Sequence, residues 1–225
     1  TGPDIFTFHN SWVSMFKNYL DPIPASVMTP SEFSQVFYPV IASDLTAGTG
    51  ILGIPLGYDA LTLFINSDIF SSSGKNPPAT WDDLRSLAIE LTRKDDQGAI
   101  IQSGVALGRT ENVDHWQEIL ALMMLQNGAD LTNPTGKLAE DALTFFTLFA
   151  TSDGVWDASL PTSTAMFAGG KLAMYLAPSW RAFGITQLNP TLNFKTAPIP
   201  QLAKASPNQK DVVYATYWVQ GVSNK

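Results

Sequence analysis

The sequence contains no cysteine, and this one absence removes disulfides, thiolate zinc sites and thiol nucleophiles together. A cysteine-free chain suits an oxidising compartment, though many cytosolic proteins also lack cysteine. There are two histidines, His9 and His115, far apart and without zinc-ligand spacing around them. Basic residues are few: 13 Lys and Arg stand against 20 Asp and Glu, for a net charge of -7. That balance argues against a nucleic-acid partner, because phosphate backbones attract basic surfaces. No basic run is present for an anionic membrane surface, and no apolar run reaches the ~20 residues of a membrane helix. Asn-x-Ser/Thr with a non-proline middle residue does not occur. Gly-x-Ser-x-Gly is also missing. Ala168-Gly-Gly-Lys-Leu lacks the first glycine and the final Ser/Thr of a phosphate loop. No cofactor or metal is expected.

Apolar residues make up 45% of the 225, so a substantial core can form. Asp4–Phe8 reads as a buried strand, entered directly from Thr1-Gly2-Pro3 as in a processed protein or an excised piece. A helix is expected over Trp12–Tyr19. Thr29-Pro30-Ser31-Glu32 is a capping box with proline at the first helical position. Pro39 interrupts the apolar series that follows and should kink or split it. Leu61–Ile65 is continuous and apolar, as a central strand is. Thr80 caps a helix whose core face is Leu84, Leu87, Ala88 and Leu91, with Arg93 and Lys94 near its negative end. Ile100–Leu107 is a strand candidate broken at Ser103-Gly104. Helices are expected at His115–Gln126, Lys137–Ala150, Ser163–Ala168 and Trp180–Gln187. Strands are expected at Lys171–Leu176, Phe194–Ile199 and Val212–Tyr217. Lys204–Lys210 is the most linker-like stretch. Strands alternating with helices predict an α/β class.

Adjacent carboxylates such as Asp82/Asp83 and Asp95/Asp96 read as helix-end or loop groups in solvent. Asp59 and Glu111 differ, because each follows an apolar segment where a chain leaves a sheet. Ligands of open α/β sheets bind at the carboxyl ends of strands. Four of the six tryptophans, Trp12, Trp116, Trp180 and Trp218, lie at strand-to-helix turns or polar strand ends. Flat aromatic faces suit the C–H face of a sugar ring, and carboxylates, amides and hydroxyls bond its hydroxyls. The tryptophans are interleaved with Asn10, Asp59, Glu111, Asn112 and Arg181.

Four segments, in order, resemble one family. They are Gly2-Pro-Asp-Ile-Phe-Thr-Phe-His-Asn10; Gly53-Ile-Pro55 with Leu63-Phe-Ile-Asn66-Ser-Asp68; Pro77-Pro-Ala-Thr-Trp81-Asp-Asp-Leu84; and Phe167-Ala-Gly-Gly-Lys-Leu-Ala-Met174 with Trp180. Together they are similar to the extracellular, periplasmic solute-binding proteins of sugar ABC importers, the family that includes maltose-binding protein. The resemblance implies a two-lobe, type II periplasmic-binding-protein-like fold, with mixed sheets flanked by helices. It implies a first lobe of residues 1–103 plus 197–225 and a second of residues 104–196. The family's opening strand–helix–strand and its final helices have no counterpart, so the chain is expected to be incomplete at both termini.

The resemblance also implies a site. Phe8, Asn10 and Trp12 fall on the first-lobe wall, and Asp59, with Tyr58 beside it, falls on a position that hydrogen-bonds ligand. Glu111, Asn112 and Trp116 fall where the second lobe contacts ligand. Trp180 falls on the main stacking tryptophan, with Arg181 beside it, and Tyr217 and Trp218 fall where the chain has returned to the first lobe. The implied partners are a small carbohydrate and the permease subunits of the importer. Membrane contact is implied only through a lipid anchor outside this segment. Two alternatives stay open: the same fold binding a polyamine, amino acid or other small solute, and a glycoside hydrolase using Asp59 and Glu111 as acid and base.

Overall fold

A computed structural model describes residues 2–48, 50–204, 206 and 208–225. Thr1 and Thr49 lie outside the described residues, as do Ala205 and Pro207 of the linker-like stretch. The chain forms two compact units, one of Thr1–Ala60 with Ala215–Lys225 and one of Leu61–Tyr214. This division differs from the lobe boundaries expected at 103/104 and 196/197. Each of those points falls inside a strand, Ile100–Val105 and Phe194–Ala197, and both strands belong to one sheet of the second unit.

In the first unit the last strand, Trp218–Ser223, is the centre of a sheet. Ile5–His9 pairs antiparallel along its full length, from Ile5 opposite Val222 to His9 opposite Trp218. Leu20–Asp21 and Ile54–Pro55 pair antiparallel with it as well. Gly53 must be glycine here, because a Cβ would lie 2.6 Å from the Gln220 carbonyl oxygen. The Thr29 capping box forms: the Thr29 hydroxyl accepts from the Glu32 amide and the Glu32 carboxylate accepts from the Thr29 amide. Proline ends the apolar series as a helix and restarts it, giving helices Pro30–Val36 and Pro39–Leu45. Phe8, Phe33, Ile41, Leu45, Ile51 and Val219 form the core. The segment Gly48-Thr-Gly-Ile-Leu-Gly53 has dinucleotide-fingerprint spacing, but Thr46–Ala47 and Gly50–Ile51 pair as a hairpin with no helix following. The expected helix at Trp12–Tyr19 is one α-helical turn, Val13–Phe16, between 3-10 turns.

The second unit is built on a mixed sheet. Its order is Phe194–Ala197, Asp59–Asn66, Leu172–Pro178, Ile100–Val105, Arg93–Lys94, with only the Leu172–Pro178/Ile100–Val105 pair parallel. Every residue of Leu172–Pro178 is buried, which is why that segment carries no polar alternation. Helices Ser67–Ser73, Trp81–Leu91, Trp116–Gln126, Lys137–Thr151, Ser163–Ala168 and Arg181–Leu188 accompany it. Asn66 ends its strand because its side chain starts the next helix: Oδ1 accepts from the amides of Asp68 and Ile69. Thr80 and Asp83 form a second capping box.

Three details depart from expectation. The Ser103-Gly104 pair does not break its strand. Gly104 lets helix Trp81–Leu91 press against the sheet, since a Cβ there would lie 2.1 Å from the Ala88 carbonyl oxygen. The same helix stops at Leu91, and Arg93–Lys94 turn into a short edge strand opposite Gln102 and Ile100 rather than capping it. The strand expected over Val212–Tyr217 is confined to Ala215–Thr216, with the longer one beginning at Trp218.

Candidate functional site

Each unit carries exposed tryptophan beside the end of a strand. In the first unit, His9 closes the edge strand directly opposite Trp218, and the 3-10 turn Asn10–Trp12 brings Trp12 over both. The Trp12 and Trp218 rings meet edge to face at 5.5 Å and 88°, and His9 meets Trp218 at 5.2 Å. Both tryptophans are exposed, Trp218 at 50%. His9 is fixed by its ring nitrogens, with Nδ1 2.8 Å from the Ser11 hydroxyl and Nε2 2.8 Å from the Thr216 hydroxyl. In the same unit, the Tyr38 and Tyr58 rings meet at 4.9 Å, tilted by 37°, and Tyr58 stacks on Tyr217 at 6.4 Å. Burial pushes the Tyr58 hydroxyl up, with Tyr38 and Asp59 adding to the shift. Asp59 pairs opposite Thr216 at the start of its strand, and its Oδ1 accepts from the Ala60 amide at 2.7 Å.

In the second unit, Trp180 sits at the N-cap of helix Arg181–Leu188 and is 46% exposed. The Arg181 guanidinium lies over its ring, 4.4 Å from the centroid. Contacts of this kind contribute about 0.5–1 kcal/mol when exposed and more when dry. His115 stands edge-on to Trp180 at 5.8 Å and 81°, and accepts the Arg181 Nε–H on Nε2 at 2.9 Å. Behind them runs a buried polar relay. Tyr175 and Thr164 share a hydroxyl bond of 2.7 Å, and Asp114 accepts from the Thr164 hydroxyl at 2.6 Å and its amide at 2.9 Å. Burial pushes the Asp114 carboxyl up, but the bonds from Thr164 and Ser163, with Arg181 nearby, hold it below the usual carboxylate range. Burial pushes the Tyr175 hydroxyl up to about 12.

The structure therefore brings together Trp12 and Trp218, with Asn10 and Tyr217 alongside, and separately Trp180 and Arg181. Of the expected ligand contacts, Phe8, Tyr217, Asn10 and Asn112 are corrected. Phe8 is fully buried in the first core, with no face to offer. Tyr217 is buried and its hydroxyl donates to Asp44 at 2.7 Å. Asn10 spends its side chain on the neighbouring strand, accepting from the Tyr217 amide and donating to the Ala215 carbonyl. Asn112 is a structural pin: it accepts the indole N–H of buried Trp156 at 2.8 Å and donates to the Asp157 and Leu160 carbonyls. Trp116 is half-buried against the second core. Glu111 is exposed, and the hydrogen bonds it takes from its own amide and that of Thr110 lower its carboxyl pKa. Both histidines lack zinc spacing; what marks them in the sequence is position, His9 at the end of a strand and His115 at the start of a helix. Among the described residues no group of three or more His, Asp or Glu could hold a metal ion, and no helix is long and apolar enough to cross a membrane.

The family profile described as bacterial extracellular solute-binding protein matches residues 1–223. Among solved structures, an ABC transporter solute-binding protein of Thermotoga lettingae bound with α-D-tagatose superposes with a TM-score of 0.77 at 21% identity. It is matched over 99% of this chain and 59% of its own. The maltose/maltodextrin-binding domain of Bdellovibrio bacteriovorus bound to maltotriose superposes with a TM-score of 0.76 at 17% identity, over 100% of this chain and 57% of its own. A substrate-binding protein of Listeria monocytogenes in complex with cycloalternan gives 0.75 at 17%, again over 100% and 57%. A binding protein of Brucella abortus (strain 2308) is 27% identical over 92 residues, 40% of this chain and 22% of that protein. The chain thus spans under two thirds of the length of the proteins it matches. The likeness shows the α/β fold of two-lobe binding proteins.

Proposed function

The chain belongs to the bacterial extracellular solute-binding protein family, and from that membership we propose that it is the carbohydrate-binding part of an ABC importer's solute receptor. The family binds solutes and is not one of enzymes, which leaves the hydrolase alternative without support. The observation that carries the carbohydrate reading is the pair of half-exposed tryptophan clusters, Trp12–Trp218 in one unit and Trp180–Arg181 in the other. A sugar offers an apolar C–H face for the rings and hydroxyls for polar groups around them. Asp59, Glu111 and the exposed Tyr58 are the proposed polar partners, and the three similar structures named above hold tagatose, maltotriose and cycloalternan.

The proposed mechanism is closure: sugar touching both units favours the closed arrangement by its differential affinity for it. Delivery to permease subunits, a location outside the cytoplasm and a lipid anchor beyond this segment belong to the same proposal. A polyamine is the less favoured ligand, since it calls for several converging carboxylates and Asp59 and Glu111 are the two in prospect. The test is a titration with mono- and oligosaccharides, including D-tagatose and maltotriose, followed by tryptophan fluorescence and calorimetry. Saturable binding that Trp180→Ala weakens about tenfold or more is expected, in line with the loss of one stacked aromatic. No response to any sugar from demonstrably folded protein would sink the carbohydrate reading.

A further inference from the structure

His115 occupies a costly backbone position. Its φ of 63° and ψ of 21° are left-handed, and it is the one non-glycine residue with positive φ among the described residues. Such a conformation costs on the order of 1–3 kcal/mol and persists where the surroundings over-determine it. Here the imidazole bridges its own helix, Trp116–Gln126, where Nδ1 faces Glu118, and helix Arg181–Leu188, where Nε2 meets Arg181. The ring then makes two contacts with that helix start: the Arg181 Nε–H bond at 2.9 Å and the edge-on contact with Trp180.

The chemistry of that bond fixes the imidazole's state. An arginine nitrogen donates and never accepts, so Nε2 must hold a lone pair. Neutral His115 then carries its proton on Nδ1, which faces Glu118 Oε1 at 3.5 Å. A protonated ring would present an N–H to an N–H and one cation to another. The side chain of His115 is 12% exposed, so water offers little relief.

We propose that His115 is a positioning residue for the stacking platform: its neutral imidazole holds the Arg181 guanidinium flat on Trp180, and protonation releases it. Held there, the guanidinium covers one ring face and directs a ligand to the other. Released, it no longer covers that face of Trp180, and the platform loses definition. The ligand half of the proposal rests on Trp180 being a stacking residue; the coupling of His115 to Arg181 does not. The charged and titratable groups around the ring are Glu118 on its own helix, Asp114 one residue before it, and Arg181 at the start of the facing helix. Tyr175, from the buried strand, stays neutral across the relevant range.

The test needs no ligand to begin. In an 15N-labelled sample, the Arg181 Nε–H resonance, assigned by its loss in Arg181→Lys, is followed from pH 8 to pH 5 beside the His115 ring signals. At pH 8 it should be shifted by the Trp180 ring and protected from solvent exchange. It should move to the free-arginine position with the same midpoint as His115. In His115→Asn, a residue type that tolerates left-handed backbone, it should sit at the free position at every pH in a protein whose backbone spectrum is otherwise retained. Binding of maltotriose or D-tagatose should be about tenfold weaker at pH 5 than at pH 8, the scale of one hydrogen bond to a charged group, and pH-independent in His115→Asn. An Arg181 resonance that stays put while His115 titrates, or that survives His115→Asn, overturns the proposal, as does a His115 that does not titrate in this range. If Arg181 follows His115 but no sugar binds, the positioning stands and the carbohydrate reading falls.

Discussion

Replacing Asn112 by alanine should damage the fold of the second unit and not its ligand preference. The side chain makes three hydrogen bonds from a site 8% exposed. Its Oδ1 is the acceptor for the Trp156 indole N–H, and Trp156 is fully buried. Removing the acceptor strands that N–H away from water, at about 1–3 kcal/mol. The lost bonds to the Asp157 and Leu160 carbonyls, both part-exposed, add about 1 kcal/mol each. The sum is about 3–5 kcal/mol, a large share of the roughly 5–15 kcal/mol that stabilises a typical domain. For a unit of this size each kcal/mol moves Tm by about 2–4 °C, so the transition should fall by roughly 6–20 °C. Differential scanning calorimetry reads the shift, and near-UV circular dichroism reports the tryptophan environment. Glu111→Ala, one residue away but exposed, should stay within about 0.5 kcal/mol of the parent. If Asn112→Ala melted with the parent and lost sugar affinity instead, the structural assignment would be wrong and Asn112 would return to the ligand site.

Gly104→Ala should cost about 3 kcal/mol or more, at or beyond the usual upper end for overpacking, because its Cβ would meet the Ala88 backbone, which cannot step aside as a side chain can. Urea unfolding checks it, and a loss under 1 kcal/mol would contradict the strand–helix contact. Gly184→Ala has the opposite sign: nothing lies within 4 Å of the new methyl in the helix, so a gain of about 0.5–1 kcal/mol is expected in the same assay. Asp114 has a folded-state pKa below its unfolded value, so its contribution is present above the unfolded pKa near 4 and disappears as pH falls through the folded one. Asp114→Ala should therefore be less stable than the parent at pH 7, with the gap closing at low pH; a gap constant down to pH 2 would contradict the relay.

The segment Gly53–Leu84 shows why scaffold was easier to read than site. Its polar residues act on their own neighbours: Asn66 on the amides two and three residues ahead, and Thr80 on Asp83. Caps, proline breaks and apolar runs are local in sequence, so they survive in the one-dimensional pattern. Phe8, Asn112 and Tyr217 failed as ligand contacts for the opposite reason. Each sits beside a strand end, as a ligand residue would, but what decides its role is a partner far along the chain: Trp156 for Asn112, Asp44 for Tyr217, and the first core for Phe8.

The sequence alone determined the α/β class, the capped helix starts, the split at Pro39 and the resemblance to sugar-type solute-binding proteins. The tertiary structure decided where the units divide, since a sheet gathers strands from either side of any sequence boundary. It also decided which aromatics face outward. Trp81 and Trp180 have the same indole, yet one is buried with its N–H on Gln126 and the other lies half-exposed under a guanidinium. That difference comes from long-range packing, as does the pairing of His115 with Arg181, 66 residues apart.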